Sequence, residues 1–411
     1  MPRNIPLLVL LLAASGSFAA TPTPTPATVA DASGTRPATP LTSRDQLQTY
    51  LREHPPGTTP FDALAPGARA RFIDGIAFGE RGIVGLDVQD LHLLTVGQAR
   101  ALLALLGKET LAGTLALDWS PTPSPPLIAA PSELERRYNA YNRVRRARPP
   151  ATAARRPFAQ WFPEIQAPAG LARLADIDLA LLARAIRIEY AETEDASLPQ
   201  MLSAAMALQQ QRGTAHVHDL RQTADTLLLA RDYAGAQRLA RALPGPPLLA
   251  HVRFVDALPP DAAAPSAWRM DAAGTALVRE TVDLQPLQVL VAAGCHFSAD
   301  AARDIAADPL LGPVFARHAR WLSLAPGAED LQSIRDWNLR HPQAPMLPIH
   351  SREEWTLFED WQMPTFHVVR QGRIVASIRG WRSGDAGDRQ RLVDLLRENG
   401  LLPAAARTPV R

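Results

Sequence analysis

Between Ser43 and Leu243 apolar side chains recur three and four positions apart, whereas after Pro265 they gather into short runs. The first pattern predicts amphipathic helices and the second predicts strands. Ser43-Arg44-Asp45-Gln46 has capping-box form; Leu47, Tyr50 and Leu51 follow at helical spacing, and Pro55-Pro56-Gly57 ends the helix. A second helix runs from Pro66 through Phe72 to Ile76. Gly75, Gly79, Gly82 and Gly85 read as turn or packing glycines, because no predicted strand precedes them as a phosphate loop requires. Thr95-Val96-Gly97-Gln98 opens another helix, with Ala99, Leu102, Leu103 and Leu106 on its apolar side. Residues 43–117 are therefore expected to form a small helical domain, and Pro121, Pro123, Pro125 and Pro126 mark a linker over 118–131.

A polar helix is predicted from Ser132 to Arg148, followed by helical spacing at Leu171, Leu174, Leu181, Leu182, Ile186, Leu202, Met206, Leu227 and Leu228. Arg231-Asp232-Tyr233-Ala234-Gly235-Ala236 resembles the turn and second helix of a tetratricopeptide unit. Stacked repeats need about three units to bury a continuous core, and one is present, so a helical hairpin or bundle is the expectation for 132–262. His216 and His218 lie two apart on a helix and are expected to point in different directions, which argues against a metal pair.

After Pro265, Trp268–Asp271 and Thr275–Val282 flank Ala272-Ala273-Gly274 as in a hairpin. The apolar run Leu287–Ala293 suits the buried centre of a sheet. A helix over about 298–307, a strand near 321–324, a helix around 329–340, a short strand around 346–349 and a helical turn at 353–361 come next. Thr365–Val369 and Ile374–Ile378 form a closing hairpin, and a helix with Leu392, Leu395 and Leu396 stops at Asn399-Gly400. The fold class predicted is α followed by α/β: an all-helical N-terminal region, then a βαβαββα domain with a leading hairpin over 263–402, and a tail over 403–411.

The chain begins with Arg3, an apolar run from Ile5 to Ala14, and Ser15-Gly16-Ser17-Phe18-Ala19-Ala20. This is the form of an export signal over 1–19, cleaved near Ala19 or Ala20, which predicts a periplasmic location. Residues 20–42 are Thr, Pro and Ala with few large apolar side chains, an extended tether. Forty-three basic against 41 acidic residues leave a net charge of +2 and no global electrostatic message. Lys108 is the only lysine; every other cationic chain is arginine. That bias qualifies the densest basic stretch, Arg136, Arg137, Arg143, Arg145, Arg146, Arg148, Arg155 and Arg156. It reads either as a contact for an anionic membrane surface or an acidic partner, or as a solvated helix and linker written in arginine. Nucleic acid is not expected as a partner of an exported chain.

Cys295 is the only cysteine of 411 residues, so no internal disulfide exists. It ends the apolar run and opens a helical stretch through His296-Phe297-Ser298, where the helix dipole favours thiolate over thiol. The alternative is a buried thiol that packs as a small apolar side chain. Ser298 is a candidate to hydrogen-bond the sulfur or to cap the helix, and His296 to assist the thiol when protonated. No Cys, His, Asp and Glu cluster has metal-ligand spacing, and no cofactor motif is present.

Over roughly 268–402 the chain resembles the thioredoxin superfamily. Three features carry the resemblance: Cys295 at the end of the first central strand, Met363-Pro364-Thr365 before a strand, and the closing hairpin Phe366–Val375 followed by Gly380-Trp381. It implies a cis Pro364 facing Cys295, with Met363, Pro364 and Thr365 binding an extended substrate strand. The departures are specific. Gly294-Cys295-His296-Phe297-Ser298 stands where dithiol members carry Trp-Cys-Gly-Pro-Cys, Val289 replaces the family's buried acid, and Ala292 replaces the peroxiredoxin Thr. The site is an atypical monothiol C-x-x-S site, closer to the C-x-F-S form of monothiol glutaredoxins and of some secretory disulfide-isomerase relatives. The resemblance implies either an exported thiol–disulfide protein that forms mixed disulfides with envelope proteins or isomerises their disulfides, or a redox-silent scaffold that binds envelope proteins.

Overall fold

The computed structural model describes residues 39–80, 82–115, 119, 130–146, 157–166, 168–259 and 264–403. The segment 1–19 read as an export signal, most of the expected tether and linker, Arg148, Arg155, Arg156 and the tail beyond 403 lie outside the described residues. The chain divides into two compact units, Met1–Asp219 and Leu220–Arg411. Helices dominate the N-terminal half and sheets the C-terminal half. No helix among the described residues is long and apolar enough to cross a membrane.

The first unit holds helices α1 (Arg44–Glu53), α2 (Pro66–Gly75), α3 (Val96–Ala104), α4 (Leu111–Thr114), α5 (Glu133–Arg146), α6 (Phe158–Trp161), α7 (Pro168–Leu171), α8 (Asp176–Thr193) and α9 (Leu198–Arg212). α10 (Val217–Leu229) starts here and continues into the second unit. The Ser43 side chain accepts from the Gln46 backbone N–H at 3.2 Å. Thr95 and Gln98 form a reciprocal capping box. Leu47, Phe61, Phe72, Leu91 and Leu102 are fully buried in one apolar cluster. The region is not all-helical. β1 (Ala77–Gly79) and β2 (Gly82–Gly85) form an antiparallel hairpin, where the glycine spacing predicted only turns. Strands of three and four residues carry no alternation long enough to show in the sequence.

A charged network is buried beside this core. The Arg71 guanidinium donates to both Asp90 carboxylate oxygens at 3.0 and 3.1 Å and to Glu135 at 2.6 Å. Arg184 donates to Asp90 at 2.8 Å. Burial opposes the charge on Asp90, and the two guanidinium groups overcome it, holding the carboxyl well below the usual range. Gly67 makes room for this network, since a β-carbon there would overlap the Glu135 carboxyl. Asp90→Ala takes the shared carboxylate from Arg184 and leaves Arg71 with the Glu135 carboxylate, and should destabilise the protein by about 3–5 kcal/mol in urea-monitored unfolding; an effect within the range of a surface substitution would show that the network is not buried in solution.

His92 brings the two sequence-flagged histidines together. Its ring lies 4.8 Å from His216 and 6.1 Å from His218, centroid to centroid, so those two rings converge on a third instead of pointing apart. The cluster offers no metal set among the described residues. Burial pushes His218 from its ordinary 6.5 down to about 4; nearby Asp219 opposes the shift, and Arg187, His92 and Arg184 add to it. The unfolded chain takes up this proton near pH 6.5 and the folded chain only near pH 4. The stability contributed by the neutral ring is therefore complete above 6.5 and lost as pH falls from 6.5 to about 4. His218→Gln should flatten the stability profile in that window relative to wild type, measured by thermal unfolding across pH.

In the second unit, α11 (Tyr233–Arg241) follows α10 and is capped by Asp232, which accepts from the Gly235 N–H at 2.8 Å. β3 (Arg253–Val255), β4 (Ser266–Met270) and β5 (Ala276–Thr281) form a sheet in the order β3-β5-β4. β3 lies inside the stretch read as helical and pairs parallel with β5; at three residues it is too short to show a strand pattern. β6 (Gln288–Ala292), β7 (Ala319–Ser323), β8 (Met346–Pro348), β9 (Thr365–Arg370) and β10 (Arg373–Arg379) form a second sheet in the order β10-β9-β6-β7-β8. α12 (His296–Ala307), α13 (Leu311–His318), α14 (Leu331–Arg340) and α15 (Ala386–Glu398) complete the unit. The five strands of this sheet fall on the five runs read from the sequence, one more than the βαβαββα order writes, and the structure adds α13 after α12. All five residues of β6 are buried between antiparallel β9 and parallel β7. Leu290, Leu322, Ile349, Trp355 and Val369 pack in one cluster. Trp321, Phe315, Phe366 and Trp381 make a separate set of ring contacts.

Candidate functional site

Cys295 is the residue at which β6 turns into α12. Its backbone is extended (φ −100°, ψ 171°) and it occupies the N-cap position, with no side chain capping the helix. The thiol is half-buried. Its Sγ lies 3.3 Å from Ser298 Oγ and 3.5 Å from the Met363 carbonyl oxygen. Ser298 is fully buried with its hydroxyl against the sulfur, and it makes no cap hydrogen bond at this helix start. As a thiol, Cys295 can donate to Met363; as a thiolate, it can accept from Ser298.

Met363 stands beside the sulfur because Ala292 pairs with Thr365 across β6 and β9. The Met363–Pro364 peptide bond is cis. Thr365 is buried and its hydroxyl donates to the Gln362 carbonyl at 2.6 Å, and the Pro364 carbonyl accepts from the Gly380 N–H at 2.8 Å. Cys295, Ser298 and Met363 are thus in direct contact, with Pro364 and Thr365 following on the same segment. His296 is exposed, and its ring packs on Phe297 with centroids 3.8 Å apart. It makes no hydrogen bond to the sulfur. Phe297 keeps 47% of its surface exposed, an apolar side chain two residues from the thiol. His367, on β9, is bonded at Nδ1 to Ser377 Oγ at 2.8 Å and packs on Phe358.

One acid that sequence reasoning passed over belongs here. Gly294 has φ +152°, and a β-carbon on it would sit 2.8 Å from Glu329 Oε2 and 3.1 Å from Met363 Sδ. The glycine therefore lets a carboxyl from the loop after β7 lie one residue from the thiol. Burial, reinforced by the neighbouring Asp330 charge, raises Glu329 to about 7. Val289, the position at which the resemblance led one to look for an acid, is fully buried in β6. No spacing rule links residues 294 and 329, so only the folded chain reveals the pair.

Within the Arg-rich helix α5, Arg137 pairs with Glu164, Arg145 with Glu192 and Arg146 with Asp87, and Arg143 with Asp74 at 2.9 Å. Arg136 donates to the Pro131 carbonyl at 2.6 Å. Most of the described cationic charge in this stretch is matched locally by acids, which weakens the field it can project.

Glu329 carries a proton below about pH 7 and a negative charge above it. A negative charge on a carboxyl that lies against Gly294 would repel a negative charge on the adjacent sulfur. Glu329→Gln should therefore speed alkylation of Cys295 about two- to fivefold above neutral pH and leave it nearly unchanged below pH 6. An equal effect at both pH values would separate the carboxyl from the thiol. Comparison of the chain with protein-family models, with curated proteins and with solved structures finds no match.

Proposed function

We propose that the second unit is a thioredoxin-like domain of an exported protein, and that Cys295 captures disulfide-bonded envelope proteins as mixed disulfides. The observation that carries this reading is the half-buried Cys295 sulfur at a strand-to-helix junction, 3.3 Å from Ser298 Oγ and 3.5 Å from the Met363 carbonyl, beside the cis Met363–Pro364 bond. The chemistry balances without a cofactor. Cys295 thiolate attacks one sulfur of a client disulfide, a new S–S bond forms, and the other client sulfur leaves as a thiolate and takes a proton. A second attack, by the departing client thiol or by an external thiol, regenerates Cys295. Ser298 can stabilise the attacking thiolate by a hydrogen bond but cannot resolve the intermediate, so the site favours capture and isomerisation over net oxidation. The exposed ring of Phe297 and the Met363–Thr365 segment flank the sulfur, where an extended client strand would lie.

The absence of a second cysteine from the sequence favours one other reading, a redox-silent domain that binds envelope partners through the same surface. A model disulfide whose leaving thiol is chromophoric separates the two. Wild type should release one equivalent of thiol and gain the other half as a covalent adduct seen by mass spectrometry, and Cys295→Ser should do neither. Wild-type release no faster than that of a free cysteine peptide would leave only the binding role.

A further inference from the structure

Where β4 meets the end of β8, a carboxylate is surrounded by donors. Glu354 accepts from the Ser266 backbone N–H at 2.8 Å, from Ser266 Oγ at 2.6 Å, from Arg279 at 3.0 Å and from His350 Nδ1 at 2.5 Å. These donors, above all the His350 and Ser266 bonds, overcome the cost of burial and hold Glu354 down at about 2. A carboxylate only accepts, so Nδ1 of His350 carries its hydrogen, and a neutral ring therefore presents a lone pair at Nε2. Nε2 has no hydrogen-bond partner among the described residues. His350 lines a cavity of about 450 Å³, together with Arg231, Asp256, Arg279 and Ser351.

The two arginines of that lining differ. Arg279 is buried and fully engaged, donating to Ser266 Oγ, Asp256 and Glu354. Arg231 makes no ion pair among the described residues. It also sits at φ +66°, a left-handed conformation for which glycine is the usual residue, in the turn that closes α10. That turn is fixed by the Arg231 N–H to Leu228 carbonyl bond at 3.0 Å and the Asp232 N–H to Leu227 carbonyl bond at 2.8 Å. An arginine in a glycine position is thus placed at a cavity that also holds an oriented histidine with an unused acceptor.

We propose that this cavity binds inorganic phosphate, an oxyanion that still carries a hydroxyl hydrogen at neutral pH. Arg231 pairs with an anionic oxygen, and His350 Nε2 accepts the hydrogen of the P–OH group. The proposal does not depend on Cys295. Asp256 and Glu354 both pair with the Arg279 guanidinium, whereas Glu353, an exposed acid of the same lining, opposes the ligand.

Titration of the full chain with inorganic phosphate, followed through the His350 ring resonances, should show saturable binding, and sulfate, which has no hydroxyl hydrogen at neutral pH, should bind at least about tenfold more weakly. Arg231→Gly suits the left-handed backbone and removes only the cation, so the fold should persist while phosphate affinity falls about tenfold or more. Glu353→Gln should tighten binding. Phenyl phosphate, whose second ionisation at about pH 6 leaves it no hydroxyl hydrogen at neutral pH, should bind about as weakly as sulfate, and phenyl phosphate bound as tightly as inorganic phosphate would overturn the P–OH to Nε2 contact. Equal affinity for sulfate, an Arg231→Gly variant that binds like wild type, or no saturable shift would each overturn the proposal.

Discussion

The pairing of Ala292 with Thr365 across the centre of the five-stranded sheet fixes nearly everything around the thiol. β6 is buried along its whole length, so its register is set by burial on both faces as well as by hydrogen bonds. A shift of one residue would turn Leu290 and Val291 to opposite faces and carry Cys295 away from the Met363 carbonyl. The same register leaves Gly294 as the first residue beyond the strand, where a φ of +152° and the lack of a β-carbon admit both the Glu329 carboxyl and the Met363 thioether. The site is a consequence of strand pairing, and its precision derives from the core.

Both units bury charge, and both handle it with arginine. Asp90 lies between Arg71 and Arg184, and Glu354 between Arg279 and His350. A planar guanidinium can satisfy several oxygens at once, which suits it to buried pairs better than lysine. The near-absence of lysine from the sequence thus has a structural counterpart, although a coding bias accounts for it equally well. Buried pairs of this kind are expensive to break, and they specify geometry more than they stabilise it.

Where local chemistry decides structure, the sequence was readable. The caps at Ser43 and Thr95, the strand before Cys295, the hairpin ending in Gly372 and the helix that stops before Gly400 all follow from short-range rules. What escaped were contacts between distant residues and elements too short for periodicity. β1, β2 and β3 have three or four residues each. His92 meets His216 and His218 across more than a hundred positions, and Ser266 meets Glu354 across 88. Glu329 belongs to the same class: an ordinary loop acid in the sequence that becomes a neighbour of the thiol only when β7 returns the chain to β6.

Ser298 and Glu329 bear on the proposed thiol chemistry in opposite directions. The serine hydroxyl can donate to a thiolate, which favours attack on a disulfide. Glu329, protonated below about pH 7, is neutral when a client would dock, and becomes a like charge as pH rises. A carboxyl that turns negative as pH rises would restrain a thiol whose hydroxyl neighbour supports attack. That restraint suits a site without a resolving thiol, because a mixed disulfide that forms too readily is one the chain itself cannot release. On this reading the oddities of the motif, serine in place of the second cysteine and glycine before the first, are coherent: both keep Cys295 available for exchange while limiting how far it can proceed alone.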